Sequence, residues 1–530
     1  MKGNGDTMKN IFDRPCYHLE QIKKVKIDSK KRKKFNSKSM LCAWVTKLCP
    51  AHCKSCFFKS DMYHDGVPAE KYQFSPYGVE RLIKFINDSN NSYLMLSGGG
   101  EPMIRKDIVN ELIRKVKTDR IVIVTSGIWA KTYKSAKDTI DELYSSYTSR
   151  NDDMVLVVRL SVDSFHYEPL GFDVINNIIR VFRENYSRCK NFQLRIHTMQ
   201  NDPTLDEVSK KIGNCEVIYS DIESVSDNKE IIKILPKQAK LRFDDGYEIL
   251  VGRSKLFFSN LKIDLNEFTE DIQRSLDVFE EDMSASEYGN PSILTNCDGS
   301  LGLDFWIDYN GNVTTWGNQQ WDSLYNVYVD SYQDLIKGTF ENIISYSFLD
   351  KGYYYRERII RAVNPKAVLR SKVMNLRDYA GAFLMEEEKT KLYYAVRAIK
   401  DYLEDGILSE DDISFLPANL LSVIHSSIEE INSLYRASDF DIISQYFAKK
   451  EELNMDDWKI LFNLIRLGHY DVSNQHIEEA IAYYNDTYYA DIKSVDDITD
   501  DDSPIMYGKY HNRISFMKKE AENFCLKMMN

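Results

Sequence analysis

Six apolar, partly β-branched runs, at 41–48, 93–97, 121–125, 154–162, 192–198 and 216–219, alternate along the chain with longer segments of helical spacing. Val79-Leu82-Ile83-Phe85-Ile86 and Ile108-Leu112-Ile113-Val116 show that spacing. Strand–helix alternation of this kind implies parallel pairing with right-handed crossovers. Six such units make a partial (β/α)6 barrel, and in barrels of that type the chemistry gathers where the strands end. The residues just after each run therefore carry most of the functional information.

After the first run comes Cys49-Pro50-Ala51-His52-Cys53-Lys54-Ser55-Cys56, three cysteines at the spacing C-x3-C-x2-C. Clustered thiolates select zinc, copper(I) or iron–sulfur centres. A structural zinc needs four protein ligands and most iron–sulfur clusters need four cysteines. The local set stops at three, and a four-iron cluster held that way keeps one iron open for a substrate or cofactor. The rival reading is a zinc-binding interaction protein with His52 or His64 as fourth ligand. His52 lies between two of the ligands, an awkward place from which to close a tetrahedron.

The second run ends in Ser97-Gly98-Gly99-Gly100-Glu101-Pro102. Three glycines open backbone conformations closed to other residues and let the chain pass close to a ligand. Exposed backbone polar groups there, with the Glu101 carboxylate, suit a ligand bearing both an amine and a carboxylate. The third run closes on Thr125-Ser126-Gly127 and the fourth on Leu160-Ser161-Val162-Asp163-Ser164. Ser161 and Asp163 are site candidates or, alternatively, only caps of the next helix. Arg195 and His197 alternate with Leu194 and Ile196 on the fifth run, facing either solvent or the interior. Facing inward, Arg195 would grip a carboxylate with two parallel bonds. His166 and Glu168 follow the fourth run and are looser substrate candidates.

Taken together, these motifs resemble the radical S-adenosylmethionine (radical SAM) superfamily. The resemblance rests on C-x3-C-x2-C followed, one strand–helix unit later, by a GGE-P turn. It implies that Cys49, Cys53 and Cys56 ligate a [4Fe-4S] cluster. It also implies that Ser97, Gly98, Gly99, Gly100 and Glu101 hold the methionine end of SAM. Thr125-Ser126-Gly127 is similar to the T-N-G of peptide-acting members, with Ser126 in place of asparagine. Ser161 falls where the family binds the ribose, and Arg195 is a candidate for the SAM carboxylate. Glu101 and Asp163 are the acidic candidates for the catalytic set. The family carries an aromatic residue just before the third cysteine; here that residue is Ser55, Phe57 and Phe58 follow, and Phe58 is the cofactor-binding candidate. The implied activity is reductive cleavage of SAM to a 5′-deoxyadenosyl radical that abstracts hydrogen from a substrate, with flavodoxin or ferredoxin as electron donor.

Residues 296–316 resemble the SPASM extension of peptide-modifying members. Asn296-Cys297-Asp298-Gly299 precedes a hairpin with an Asn310-Gly311 turn. Trp316 takes the place of the next cysteine, and no cysteine lies between Cys297 and Cys525. An auxiliary cluster needs several thiolates, so none is expected, and the region reads as a degenerate extension or as an unrelated hairpin. The extension favours a peptide or protein substrate, as in ribosomal peptide maturation. The alternative is a small molecule or RNA.

Across its 530 residues the chain divides into a polar, lysine-rich segment (1–40), the barrel with a bridging segment (41–290), the hairpin extension (291–350) and a helical domain (351–530). The fold class is α/β: a partial (β/α)6 TIM-like barrel, a small β-hairpin extension and a helical C-terminal domain. The lysine-rich stretch 23–34 is a solvated surface or a patch for an acidic partner, peptide or RNA. A net charge of −12 argues against nucleic acid as the main partner. No apolar run is long enough to span a membrane, so no membrane partner is expected. Of nine cysteines, the six outside the motif are scattered, form no disulfide framework and fit a reducing cytoplasm.

Overall fold

The computed structural model describes residues 10–34, 40–53, 60–62, 69–97, 99–150, 152–199, 202–220, 238–254, 301, 305–315, 325–363, 388–438, 440–441, 443, 447, 450–453, 455–466 and 472–497. Cys56, Phe58, Gly98, His64, Cys297 and Trp316, part of the expected bridging segment and the last part of the expected helical domain lie outside them.

Eleven strands form one mixed, mostly parallel sheet. They are β1 (Met40–Ala43), β2 (Tyr93–Leu96), β3 (Arg120–Thr125), β4 (Val155–Ser161), β5 (Phe192–Met199), β6 (Cys215–Ser220), β7 (Gln238–Phe243), β8 (Glu248–Ser254), β9 (Phe305–Ile307), β10 (Asn312–Thr315) and β11 (Tyr325–Asn326). Their order is β11-β10-β9-β1-β2-β3-β4-β5-β8-β7-β6. β9, β1 to β5 and β8 run parallel to their neighbours, and antiparallel pairs close both ends.

The first five expected strands form in order, each followed by a helix or turn. The sixth does not take its expected place. Residues 215–220 do form a strand, but at the sheet edge and antiparallel to β7. The position beside β5 belongs to β8. The hairpin at 305–315 is also observed, and it joins β1 in parallel, so it extends the main sheet.

Helices form where capping and spacing agree. In α2 (Pro76–Ser89), Ser75 accepts the Gly78 amide at the N-terminus, Pro76 sits in the first turn, and left-handed Asn90 ends it. It buries Val79, Leu82, Ile83, Phe85 and Ile86. Alternate strand residues (Leu94 and Leu96, Ile121 and Ile123, Leu156, Val158 and Leu160, Leu194 and Ile196) meet such helices in one continuous core. The opposite sheet face carries a separate cluster of Cys42, Trp44 and Met95, with Tyr93, Val124 and Trp306 against it.

The C-terminal region is helical, as expected. Helices Tyr332–Glu341, Ile343–Val363, Glu388–Glu404, Ala418–His425 and Ile428–Arg436 join the main core. Met455–Arg466 and Asn474–Tyr488 build a smaller core around Trp458, Phe462 and Tyr484. The N-terminal segment is bound into this region. Its helix α1 (Pro15–Ile22) packs on Glu388–Glu404, and the Phe12 ring meets Tyr435 edge-on at 5.5 Å. The lysine-rich stretch follows it down. Lys26 pairs with Glu341 at 3.1 Å and Lys33 with Asp350 at 3.0 Å. Lys31 donates to the carbonyls of Gly406 and Ile407, and Arg32 to that of Phe340. No helix among the described residues is long and apolar enough to cross a membrane.

Candidate metal centre and its surroundings

Parallel strands bring their C-terminal ends to one edge, so the loops after β1 to β5 share a rim. The loop leaving β1 is fastened before it reaches the cysteines. Trp44 N donates to Ile307 O at 2.8 Å, Lys47 N and the Thr46 hydroxyl both donate to Tyr72 O, and Thr46 Oγ1 accepts the Leu48 amide. Cys49 N then donates to Asp61 O at 3.3 Å. Cys49 and Cys53 are both half-buried. His52 has a left-handed φ of 50°, and its imidazole is exposed with Nδ1 3.7 Å from Asp61 Oδ2. Among the described residues no group of three His, Cys, Asp or Glu side chains is placed to hold a metal ion.

The glycine turn after β2 lies directly on this loop. Gly99 has φ +71°, and a Cβ there would come within 2.8 Å of Thr46 O; a Cβ on Gly100 would come within 2.2 Å of Leu48 O. Glu101 N donates to Leu48 O at 2.9 Å and Ser97 N to Ala43 O at 3.2 Å. The close approach that these two glycines permit is therefore of chain on chain. They let the turn and the cysteine loop share one hydrogen-bonded wall.

Glu101 extends that wall to β3. Its buried carboxylate accepts from the Thr125 hydroxyl (2.7 Å) and the Met103 amide (3.1 Å) on one oxygen. The other accepts from the Ser126 amide (2.8 Å) and hydroxyl (2.6 Å). A carboxylate offers about four acceptor sites, and all are filled. The structure thus places the Glu101 side chain, with Ser126, as a brace between two strand ends. Thr125 completes the knot by accepting from Gly127 N and Trp129 Nε1.

At the end of β4, Asp163 caps helix α5 (Ser164–Leu170) by accepting the Phe165 and His166 amides at 3.1 Å. It also holds His166 Nδ1, at 2.8 Å from Oδ2. The same imidazole lies close enough to the Cys53 side chain to interact with it electrostatically. Burial disfavours charge on His166, but the interactions with Asp163 and Cys53 outweigh it and raise its pKa to about 10. Asp163 is therefore both a cap and the anchor of a link, Asp163–His166–Cys53, from the fourth strand to the first. The three-residue spacing from Asp163 to His166 at a helix start was visible in the sequence, although its destination was not.

Ser161 pairs in register with His197 on β5. Its hydroxyl makes no hydrogen bond among the described residues. Burial, with Arg159 nearby, pulls the His197 pKa down to about 4. Arg195 turns away from the rim: its Nη2 donates to Gln193 Oε1 at 3.2 Å, two residues deeper on the same strand. The rim thus gathers Cys49, Cys53, Ser97, Gly99, Gly100, Glu101, Ser126, Ser161 and Asp163, and it leaves the Arg195 guanidinium outside the group.

The donor set fits an iron–sulfur centre: two cysteines on a fixed loop, one beside an imidazole of the kind that tunes cluster sulfurs. A comparison with curated proteins finds no match. Residues 38–163, from the approach to β1 through the Asp163 cap, match the family model described as a 4Fe-4S single cluster domain, a family within the radical SAM superfamily.

Proposed function

We propose that this chain is a radical SAM enzyme in which Cys49, Cys53 and Cys56 hold a [4Fe-4S] cluster and SAM binds at the open iron. The observation that carries this reading is the hydrogen-bonded rim, where the cysteine loop rests on the glycine turn and Cys53 is linked to Asp163 through His166. The chemistry supplied by cluster and cofactor is reductive cleavage to a 5′-deoxyadenosyl radical, fed by flavodoxin or ferredoxin. The chain's own residues position and shield it. Backbone groups of Ser97, Gly99 and Gly100 would hold the methionine end, the Ser161 hydroxyl, unbonded among the described residues, suits a ribose, and Phe58 is the aromatic candidate for the adenine. Glu101 and Asp163 act by fixing geometry.

A peptide or protein is the substrate class we favour, because the β9–β10 hairpin lies beside the cysteine loop through the Trp44–Ile307 bond. The RNA alternative drew on the lysine-rich stretch, and Lys26, Lys31, Arg32 and Lys33 are engaged within the chain.

The test is anaerobic reconstitution of the full chain, an iron and sulfide count, and addition of dithionite and SAM. About four irons with 5′-deoxyadenosine formed is the expected result. Zinc in place of iron, or iron without SAM cleavage, would return the chain to the class of metal-binding interaction proteins.

A further inference from the structure

We propose that Arg159 and Arg195 form the seat for an oxyanion of the substrate, on the sheet face below the cysteine rim. The proposal rests on the reading of that rim as the reacting centre. The two arginines are direct neighbours in the β4–β5 register and share a sheet face with Cys42, Met95 and Tyr93. Side by side, two guanidinium groups repel each other, and an interior position strengthens the repulsion. Among the described residues neither has a carboxylate partner. The Nη2 of Arg159 meets only the Met95 sulfur at 3.4 Å, and that of Arg195 only Gln193. The Nε of each is buried without a hydrogen-bond partner. Burial, more than any neighbour, lowers both pKa values, and Arg120 and Arg159 add to the effect at Arg195. Arginine does not escape by losing its proton. Glu248, level with Gln193 on β8, is held by Lys240 and Arg242, both at 2.9 Å. A pair of forked cations with no internal counter-charge is an arrangement completed by a bound carboxylate or phosphate.

Depth separates this seat from the cofactor. On β4 and β5, Ser161 and His197 mark the rim and Arg159 and Arg195 lie two residues further in, level with Ser97 across the sheet; both guanidinium groups reach two residues further still, to the level of Met95 and Gln193. The guanidinium groups thus lie two to four residues of strand, about 7 to 13 Å, below the strand ends. A cleft of about 720 Å³, walled by Arg195, Gln193, Leu250, Arg188, Lys190 and Glu248, opens onto the same part of β5. A substrate anchored there by its anion would extend toward the rim, its remote binding energy orienting the reacting end.

The test titrates inorganic phosphate and succinate into the full chain at constant ionic strength and follows thermal unfolding, a readout that needs neither cluster nor turnover. A saturable rise of about 2 °C or more with either probe is expected, and which probe works tells phosphate from carboxylate. Arg159→Met should abolish the response. It should also hold or raise the midpoint without anion, since an unpaired interior charge is removed. Arg195→Gln should weaken the response at least several-fold. The proposal is overturned if neither probe acts, if both variants keep the response, or if Arg159→Met fails to fold. It is also overturned if saturating SAM erases the response, which would assign the pair to the cofactor's carboxylate. If 5′-deoxyadenosine never forms, the functional reading fails separately.

Discussion

The rim and the sheet face below it treat charge in opposite ways. At the rim two carboxylates are held by donors of the chain: Glu101 takes four and Asp163 takes two amides and an imidazole. Below it two guanidinium groups have donors left over and, among the described residues, no acid to receive them. Burying an ion is costly unless it is paired, so a chain that retains unpaired ones has left room for something else. Satisfied charge marks scaffold, and unsatisfied charge marks a place reserved for a ligand.

Cys53→Ala should do the most damage, because it removes a thiolate and the far end of the His166 link. Complete loss of retained iron and of SAM cleavage is expected; wild-type cleavage would break the assignment of the rim. Gly100→Ala comes next. Its methyl group would meet the Leu48 carbonyl at 2.2 Å and Lys47 C at 2.6 Å, so the cysteine loop must move. A loss of roughly 3 kcal/mol is expected in denaturant unfolding, with iron loading reduced. Glu101→Gln sharpens the contrast, since it swaps an acceptor-only group for one with two donors of its own. About 2 to 3 kcal/mol should be lost even from iron-free protein. If the iron-free protein is unaffected and only SAM binding suffers, Glu101 is a ligand and the contrast between rim and sheet face fails.

A third kind of partnerless polar group refines the comparison. His18 is buried with Nδ1 unbonded, and burial first, Arg14 second, lower its pKa to about 4. Unlike arginine it can shed its charge. Between about pH 6.5 and 4 the unfolded chain binds the proton and the folded chain does not, so stability falls as pH falls through that window. Asp308 opposes this, because burial raises its pKa to about 6 and the folded chain takes up that proton first. His18→Leu should flatten the decline by up to about 3 kcal/mol, as read by thermal unfolding across pH. The smallest effect is expected from His166→Gln, about 1 kcal/mol in stability. Iron should be retained, while the loss of a cation beside Cys53 should make the cluster's midpoint potential more negative.

Much of the rim was readable in advance, because strand ends and their loops are local patterns. Among the described residues, Cys49 and Cys53 follow β1, Gly99 and Gly100 follow β2, and Asp163 stands before α5. What failed was non-local. Residues 216–219 and 248–254 are both short apolar runs, and nothing in either says which will pair with β5; that depends on strand partners far away in sequence. Glu101 read as a ligand holder because its partners, Thr125 and Ser126, meet it only once β2 and β3 are in register. Arg159 was overlooked although the alternation Val158-Arg159-Leu160-Ser161 put it on the same face as Ser161. A single arginine in an apolar strand says little until Arg195 appears beside it.

The packing of the first helix against the last part of the sheet-bearing core has a consequence for biosynthesis. The side chain of Asn10 bonds the carbonyl of Leu434, 424 residues away. At roughly 5 to 20 residues per second, a ribosome needs about 20 to 80 s to make the second after the first. For that interval Ile11, Phe12, Leu19 and Ile22, all buried in the finished protein, have no surface to meet. These residues are made well before the surface that shelters them in the finished protein.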